Sequence, residues 1–341
     1  MSPATLPLRK IGGVNVSAIG YGAMGIAGAY GDKLPDEERF KLLDTLYEMG
    51  CTNWDTADIY FDSEDLIGRW FKKTGKRDEI FLATKFGFSP EPGKAISGEP
   101  AYVRKAIERS LQRLGTDHVD LYYLHRADPD VPIELTVRAM AELVKQGKVK
   151  YLGLSEVSAE TLRRAHAVHP IAAVQVEYSP FTLDIEHEKI GLLKTARELG
   201  VAIVAYSPLG RGLLTGRYKS PDDLPANDWR RTIPRFSKEN FPKVLQLCDK
   251  LATLGRKYNA TSGQIALAWL LAQGDDVIPI PGTTKLDNLK ENLSAASIKL
   301  SPEDAAEIRE AAVAADAAMQ GDRYPAEMMG LLFANTPPLQ E

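Results

Sequence analysis

The 341-residue sequence lacks several features that would assign it to a specialised class of protein. Its two cysteines, Cys51 and Cys248, cannot form a disulfide framework or a cysteine-based metal cluster, so no metal site is predicted and a reducing compartment is favoured. No run approaches about 18 apolar residues, and the N-terminus has no apolar signal core. A net charge of −4 gives no reason to expect nucleic acid or an anionic membrane as a partner. These absences favour a soluble cytoplasmic protein, either a monomer or a weak homo-oligomer.

Regular alternation of strand-like and helix-like segments is the most prominent pattern that is present. After a candidate N-terminal hairpin come eight apolar runs, each followed by at least one helix. Eight such units suit a closed barrel, whereas an open doubly wound sheet rarely needs so many. The runs are Ala18 to Met24, TNWDTA, IFLATKF, VDLYYLH, VKYLGLS, AAVQVEYS, VAIVAYSP and VIPIPG.

The predicted fold class is therefore α/β, a (β/α)8 TIM barrel preceded by a β-hairpin and followed by an extra C-terminal helix. We expect a single barrel domain over residues 1–341, with a core of about residues 8–315 and a C-terminal tail at 316–341. The polar, proline-containing segment Leu213–Ser237 is too long for a simple connection and is interpreted as a functional loop. The helical region Lys238–Gln273 is expected to form two helices, because Asn259 to Gly263 interrupts it. The loop around Gly25–Asp32, the segment Asn227–Phe236 and the C-terminal tail are expected to shape the pocket.

Four polar residues lie at or just beyond the ends of three consecutive predicted strands: Asp55, Tyr60, Lys85 and His125. In barrels of this kind the active site lies at the C-terminal ends of the strands. A lysine on an apolar strand face needs a partner for its ammonium, and Asp55 is the obvious candidate. Each residue alone has an ordinary structural explanation, such as a turn cap or a packed aromatic. Their common register on adjacent strands favours a functional cluster instead.

Such a cluster can hold a carbonyl oxygen and give it a proton. A neighbouring ammonium favours the phenolate, so the sequence predicts that Lys85 lowers the pKa of Tyr60 and makes it a better proton donor. His125 is predicted to orient the substrate oxygen. The hypothesis at this point is a carbonyl-reducing enzyme that needs a hydride donor.

These motifs resemble those of the aldo-keto reductase superfamily, and the resemblance covers about Leu8 to Asn292. NWDTADIY carries the Asp and Tyr of the family's tetrad, IFLATKF the Lys and VDLYYLHR the His. Three further segments resemble its cofactor-binding segments: IGYGAMG, AYSPLGRGLLTG and IPGTTKLDNLKENL. Their sequences are most similar to the pyridoxal reductase and auxin-induced-type branch. The absence of a GxGxxG fingerprint is consistent with this family, which binds its nicotinamide on a barrel.

The resemblance implies NADPH as cofactor, a small-molecule carbonyl as substrate and a defined set of contacts. In it, Tyr206 stacks on the nicotinamide, Ser155 and Gln175 bond its carboxamide, and Lys285 meets the 2′-phosphate. Glycines near residue 210 let backbone N–H groups approach the pyrophosphate, with Arg211 adding charge. The implied cofactor-binding residues are Gly22, Ala23, Met24, Asp55, Ser155, Gln175, Tyr206, Ser207, Pro208, Leu209, Gly210, Arg211, Gly212, Gly282, Thr283, Thr284, Lys285, Asn288, Glu291 and Asn292.

Two departures from the family pattern concern the cofactor. Glu156 replaces the usual Asn beside Ser155, and Asn288 stands where relatives often carry Arg or Gln. Two other functions are open at this point. One is a slow-turnover regulatory subunit resembling the potassium-channel beta subunits. The other is a Schiff-base aldolase acting through Lys85, which leaves the SPLGRG and GTTK segments unexplained.

Overall fold

A computed structural model describes residues 6–89 and 94–340 of the chain. The first element is an antiparallel hairpin of β1 (Leu8–Ile11) and β2 (Val14–Ser17). Eight further strands form one sheet in which every neighbouring pair is parallel. They are β3 (Tyr21–Gly22), β4 (Asn53–Asp55), β5 (Phe81–Phe86), β6 (Val119–Leu124), β7 (Val149–Ser155), β8 (Ile171–Glu177), β9 (Ala202–Tyr206) and β10 (Val277–Pro279).

Backbone hydrogen bonds between the first and last strands close the sheet into a barrel. Gly20 N donates to Pro279 O at 2.9 Å, and Gly22 N donates to Pro281 O at 3.4 Å. Glycine is required at this seam, since a Cβ on Gly22 would lie 2.8 Å from the Ile280 carbonyl oxygen. The predicted (β/α)8 barrel with its hairpin is thereby confirmed.

Helices follow the strands around the outside of the barrel. The long helical region after β9 is divided in two, as predicted, because Asn259 takes a left-handed φ of 50° and Thr261 begins a new helix with a capping box. The helices are α1 (Asp36–Glu48), α2 (Ser63–Thr74), α3 (Pro100–Leu114), α4 (Ile133–Lys145), α5 (Ala159–Val168), α6 (Leu192–Glu198), α7 (Phe241–Tyr258), α8 (Ser262–Ala272), α9 (Leu286–Ser294), α10 (Pro302–Ala318) and α11 (Ala326–Met329).

The barrel interior is filled by small and branched side chains that alternate along each strand. Ala83, Leu121 and Val204 belong to this interior cluster. Ile11 and Val16 of the hairpin belong to it too, so the hairpin closes the end of the barrel where the strands begin. Polar side chains are consequently concentrated at the opposite end. None of the helices within residues 6–89 and 94–340 has the length and apolar character needed to cross a membrane.

The segment that the sequence marks as a functional loop folds into short 3₁₀ turns between β9 and α7. The C-terminal tail is ordered across the barrel mouth. Ala334 pairs with Val157 through an isolated parallel bridge, its N–H donates to Glu156 O at 2.9 Å, and its carbonyl accepts from Ser158 N at 3.0 Å. Both segments therefore contribute to the walls around the ends of the strands.

Candidate active site

The four residues selected from the sequence lie together at the C-terminal ends of β4, β5 and β6. Lys85 is fully buried, and its Nζ donates to Asp55 Oδ1 and, at 2.8 Å, to Thr56 O. The same Nζ lies 3.5 Å from the Tyr60 hydroxyl. An ammonium can occupy this apolar interior because a carboxylate, a carbonyl and a phenol surround it.

His125 completes the cluster from the end of β6. Its ring meets the Tyr60 ring edge-on with the centroids 5.7 Å apart, and meets Phe88 at 5.0 Å. His125 Nδ1 has no hydrogen-bond partner among the described residues. Burial, together with the charges of Lys85 and Arg126, lowers the pKa of His125 well below its usual value. The imidazole is therefore neutral at pH 7 and has one N–H to donate.

The predicted lowering of the Tyr60 pKa is not what the structure gives. Burial raises the pKa of the Tyr60 phenol, and the neighbouring Lys85 ammonium only opposes that rise. Burial also acts to lower the pKa of Lys85, but Asp55 and Tyr60 outweigh it and raise the pKa. The pKa of Tyr60 rises because the phenol is deeply buried. The sequence places a cation beside the phenol but does not say how completely water is excluded. Tyr60 is a neutral phenol held against an ammonium.

Two of the three predicted carboxamide and stacking residues are engaged with groups of the site. The Gln175 amide nitrogen donates to Asp55 Oδ2 at 2.7 Å, so Gln175 fixes the second oxygen of the Asp55 carboxylate. Ser155 stands beside Gln175 in the β7–β8 register, and its Oγ accepts from Arg126 at 3.3 Å. Tyr206, which ends β9, remains partly exposed.

The glycine-rich segment after β9 has a run of unusual backbone angles. Ser207, Gly210, Arg211 and Gly212 have φ values of 49°, 56°, 53° and 97°. Turns in which right- and left-handed residues alternate build the concave anion sites seen in phosphate loops. Here the N–H groups of Gly210 and Gly212 donate within the turn itself, to Ser207 O at 2.9 Å and to Leu209 O at 3.0 Å. The Arg211 side chain is engaged within the protein. It is buried on Glu177 at 2.8 Å, and it stacks over Tyr324 at 4.5 Å.

The third candidate cofactor segment follows β10. Gly282 packs so closely on Gly22 that a Cβ there would lie 2.6 Å from the Gly22 carbonyl oxygen. Lys285 is exposed and precedes α9, whose first turn has no side-chain cap. An uncapped helix N-terminus leaves N–H groups that can bind an anion. Further along α9, Glu291 accepts from Thr261 Oγ1 at 2.8 Å, and Asn292 is buried.

Three groups near these segments were not selected from the sequence. Arg217 donates to Asn288 Oδ1 at 2.5 Å, which supplies a guanidinium where the family pattern has a longer side chain on the helix. Arg323 and Tyr324 come from the C-terminal tail. No local motif marks any of them, because only the fold brings them to the mouth.

Glu156 is the centre of the tail's attachment. Arg323 Nη2 donates to Glu156 Oε2 at 2.8 Å, and Arg323 Nη1 to Glu177 Oε2 at 3.1 Å. The Tyr206 hydroxyl donates to Glu156 Oε1 at 2.8 Å. Burial acts to raise the pKa of Glu156, but Arg323 and Arg126 outweigh it and lower the pKa. The residue that replaces the usual Asn therefore connects the predicted stacking residue to the tail.

Aromatic rings form an outer wall of the mouth from three separate segments. Trp229 lies 6.2 Å from Tyr30 and 6.5 Å from Tyr324, measured between ring centroids. The loops that carry Tyr30 and Trp229 were predicted to shape the pocket, but the sequence predicted no contact between the two rings. The wall faces a site with one phenol, one imidazole and one buried ammonium.

Known proteins resemble this chain over nearly its whole length. The sequence profile of the aldo/keto reductase family matches residues 18–313. The chain belongs to this family. As a family member, this aldo/keto reductase is an NAD(P)H-dependent oxidoreductase. Its placement in the pyridoxal reductase branch stays a prediction.

Two fungal relatives illustrate the similarity of sequence. Aldo-keto reductase str7 of Strobilurus tenacellus is 59% identical over 341 residues, covering 98% of this chain and 99% of the relative. Aldo-keto reductase yakc [NADP(+)] of Schizosaccharomyces pombe is 50% identical over 340 residues, with 98% and 99% covered.

Solved structures extend the similarity to the fold. The glycerol dehydrogenase AKR11B4 from Gluconobacter oxydans superposes with a TM-score of 0.81 at 29% identity, covering 92% of this chain and 97% of that one. The thermostable aldo-keto reductase Tm1743, in complex with the inhibitor epalrestat, gives a TM-score of 0.72 at 33% identity, with 90% and 100% covered. The barrel of this aldo/keto reductase is therefore the family's barrel.

Proposed function

We propose that the protein reduces aldehydes or ketones to alcohols with NADPH, and that Tyr60 gives the proton. The observation that carries this is the contact of the Tyr60 hydroxyl with Lys85 Nζ at 3.5 Å, with His125 packed edge-on beside it. A phenol, an ammonium and a neutral imidazole converge where one oxygen atom can touch both the phenol and the imidazole. That arrangement serves proton donation to a developing alkoxide.

The residues present fit a nicotinamide dinucleotide. The positive-φ segment from Ser207 to Gly212 can hold a pyrophosphate, and the uncapped start of α9 can hold a further phosphate. Tyr206 is partly exposed, and the bond from its hydroxyl to Glu156 fixes the orientation of its ring for stacking on the nicotinamide. When bound, NADPH supplies the hydride that the carbonyl carbon receives.

The protein's own residues then handle the oxygen. His125 donates its N–H to the carbonyl oxygen and holds it in line with the Tyr60 hydroxyl. Tyr60 transfers its proton to that oxygen as negative charge develops there. Lys85 stabilises the resulting phenolate, and Asp55, fixed by Gln175, keeps the lysine in place. General acid catalysis of this kind contributes about 10²–10⁴-fold to a rate.

Preference for NADPH is supported by the cations at the start of α9. Lys285 is exposed there, and Arg217 reaches Asn288 from the segment between β9 and α7. One of the curated relatives carries NADP(+) in its name. Both observations support a 2′-phosphate subsite formed by Arg217, Lys285 and Asn288.

Replacement of one hydroxyl tests the proposal. Tyr60→Phe should lower kcat for an aromatic aldehyde by about 10²–10⁴-fold while NADPH binding, followed by its fluorescence, stays unchanged. Tyr151→Phe is the matched control, because Tyr151 packs against Gly12 of the hairpin, at the end of the barrel where the strands begin. Near wild-type reduction by Tyr60→Phe would show that the proton comes from elsewhere.

The same assay separates this function from a regulatory role. A catalyst should oxidise NADPH through many turnovers with a reactive aldehyde. A cofactor-binding regulatory subunit would bind NADPH but turn over slowly with every carbonyl offered. The relatives named as reductases favour the first result.

A further inference from the structure

Arg126 is a buried cation whose hydrogen-bond partners are all neutral, and the Glu156 carboxylate supports its charge only through space, without a direct contact. Arg126 directly follows His125 in the sequence and is only 6% exposed. Its Nη1 donates to His125 O at 2.6 Å and to Ser155 Oγ at 3.3 Å, while its Nε has no partner. Among residues 6–89 and 94–340, no carboxylate oxygen lies within 4.0 Å of this guanidinium.

The other buried cations of the mouth are all paired. Lys85 is bonded to Asp55, Arg211 to Glu177, and Arg323 to both Glu156 and Glu177. Counting these described groups with Arg126 gives four cations against three carboxylates, an excess of one positive charge. A buried charge that no carboxylate contacts directly is costly, so this position can accept an anion that comes from outside the protein.

The position of Arg126 indicates whether this anion belongs to the substrate or to the cofactor. Arg126 donates to the backbone carbonyl of His125 and to Ser155 Oγ, so its guanidinium lies between the ends of β6 and β7, next to the catalytic cluster. Its charge acts on both groups of the site. It lowers the pKa of His125, after burial and the charge of Lys85, and it opposes the rise that burial causes in the pKa of Tyr60. The phosphate-binding segments of the proposed cofactor site follow β9 and β10 instead. The anion at Arg126 therefore belongs to the substrate.

We propose that Arg126 is a specificity-determining residue that binds a carboxylate carried by the carbonyl substrate. The preferred substrates are then oxo acids and formyl acids, and the carboxylate is unchanged while the carbonyl is reduced. A monoanion matches the single excess charge, whereas a phosphate dianion would exceed it. Guanidinium groups bind carboxylates through strong, charge-assisted hydrogen bonds. This inference rests on the proposed carbonyl reduction.

Matched acids and methyl esters test the inference. Glyoxylate, succinic semialdehyde and 4-carboxybenzaldehyde, together with the methyl ester of each, place the carboxylate at different distances from the aldehyde. In the wild type, at least one acid should exceed its ester in kcat/KM. Arg126→Met should lower kcat/KM for that acid by about tenfold to hundredfold more than it lowers kcat/KM for the ester, so that the preference for the acid is lost. Arg126→Lys should retain part of the preference, and Arg197→Met, a surface change at the other end of the barrel, should retain all of it.

Two results would overturn the inference. One is equal kcat/KM for every acid and its ester in the wild type. The other is an equal loss for acid and ester in Arg126→Met, accompanied by weaker NADPH binding, which would make Arg126 a cofactor ligand.

A binding measurement makes the inference independent of turnover. Calorimetry of 4-(hydroxymethyl)benzoate with the NADP+-saturated protein should show binding that Arg126→Met abolishes. Binding without any carbonyl reduction would refute the proposed function and leave the carboxylate site standing. Reduction of esters without carboxylate binding would do the reverse.

Discussion

His125 illustrates how burial selects one protonation state of a side chain. Its ring is packed between Tyr60 and Phe88, with the cations Lys85 and Arg126 close by. Burial and both cations act in the same direction, so the pKa of His125 falls well below its ordinary value. A neutral imidazole can donate to a carbonyl without competing with Tyr60 as a strong acid.

The lowered pKa predicts an acid-dependent loss of stability. Because the folded protein keeps His125 neutral, the unfolded chain binds one more proton below pH about 6.5. The free energy of unfolding should therefore fall as the pH decreases below about 6.5, by up to about 1.4 kcal/mol per pH unit. His125→Asn should remove this component. Urea denaturation of both proteins between neutral and mildly acidic pH measures it.

The pH dependence of the free energy of unfolding must be taken as the difference between wild type and His125→Asn. The reason is that the Asp58 carboxyl also titrates in this range, with the opposite effect on stability. Burial and Glu64 raise the pKa of Asp58 to about 6. A carboxyl whose pKa is raised on folding adds stability as the pH falls through that value. This contribution is common to wild type and variant and cancels. Parallel pH profiles of the two proteins would contradict the assignment of a neutral, buried His125.

At the start of α9, two cations from different elements meet around Asn288. Replacing both Lys285 and Arg217 by Met should raise KM for NADPH by about tenfold or more, since each cation gives up a charge-assisted hydrogen bond to phosphate. KM for NADH should change little. Steady-state kinetics with both cofactors measure the ratio. Lys290→Met, on a later turn of α9, is the matched control. Equal losses with NADPH and NADH would place the 2′-phosphate elsewhere.

A buried ion-pair cluster helps to hold the C-terminal tail across the mouth, together with the backbone hydrogen bonds of Ala334. Removing Arg323 leaves Glu156 without its guanidinium partner, in a position that is fully buried. Loss of one partner of a buried pair costs about 3–5 kcal/mol. Arg323→Met should therefore lower the free energy of unfolding by that amount and expose the tail to proteolysis.

The neighbouring Asp322 offers the control for the tail. It is exposed, so Asp322→Asn should change neither stability nor proteolysis. The double variant Arg323→Met, Glu156→Gln should recover part of the loss, because it removes the unpaired charge as well. If the single variant is as stable as wild type, the cluster does not hold the tail.

Sequence patterns predicted the elements and the four central residues because both depend on local regularities. Strand alternation put Lys85 and His125 on inward faces, and Asn259 marked the break between α7 and α8. Arg323 could not be found in this way, since its partner Glu156 lies far away in the chain and no periodicity connects them. The pKa of Tyr60 and the pairing of Arg211 were also missed. Both depend on how deeply the fold buries a group, which a sequence does not state.

The residues that stabilise the barrel and the residues proposed to carry out the reaction lie at opposite ends of the barrel axis. The hairpin closes the end where the strands begin, and Ile11 and Val16 fill that floor. The tetrad, the aromatic wall and the tail all lie at the other end. Substitutions in the floor should therefore reduce stability without changing the reaction, as expected for the bottom of a TIM barrel.

Ile11→Ala tests this separation. Ile11 is 1% exposed, and removing a buried isoleucine side chain to alanine costs about 2–5 kcal/mol. At a temperature where the variant is still folded, its kcat and its KM for NADPH should match the wild type. Tyr60→Phe should give the reverse, with kcat lost and the free energy of unfolding within about 1 kcal/mol of wild type. Urea denaturation and steady-state kinetics on the same two variants give both quantities. A large fall in kcat for Ile11→Ala would mean that the floor and the mouth are mechanically coupled through the interior layer of Ala83, Leu121 and Val204.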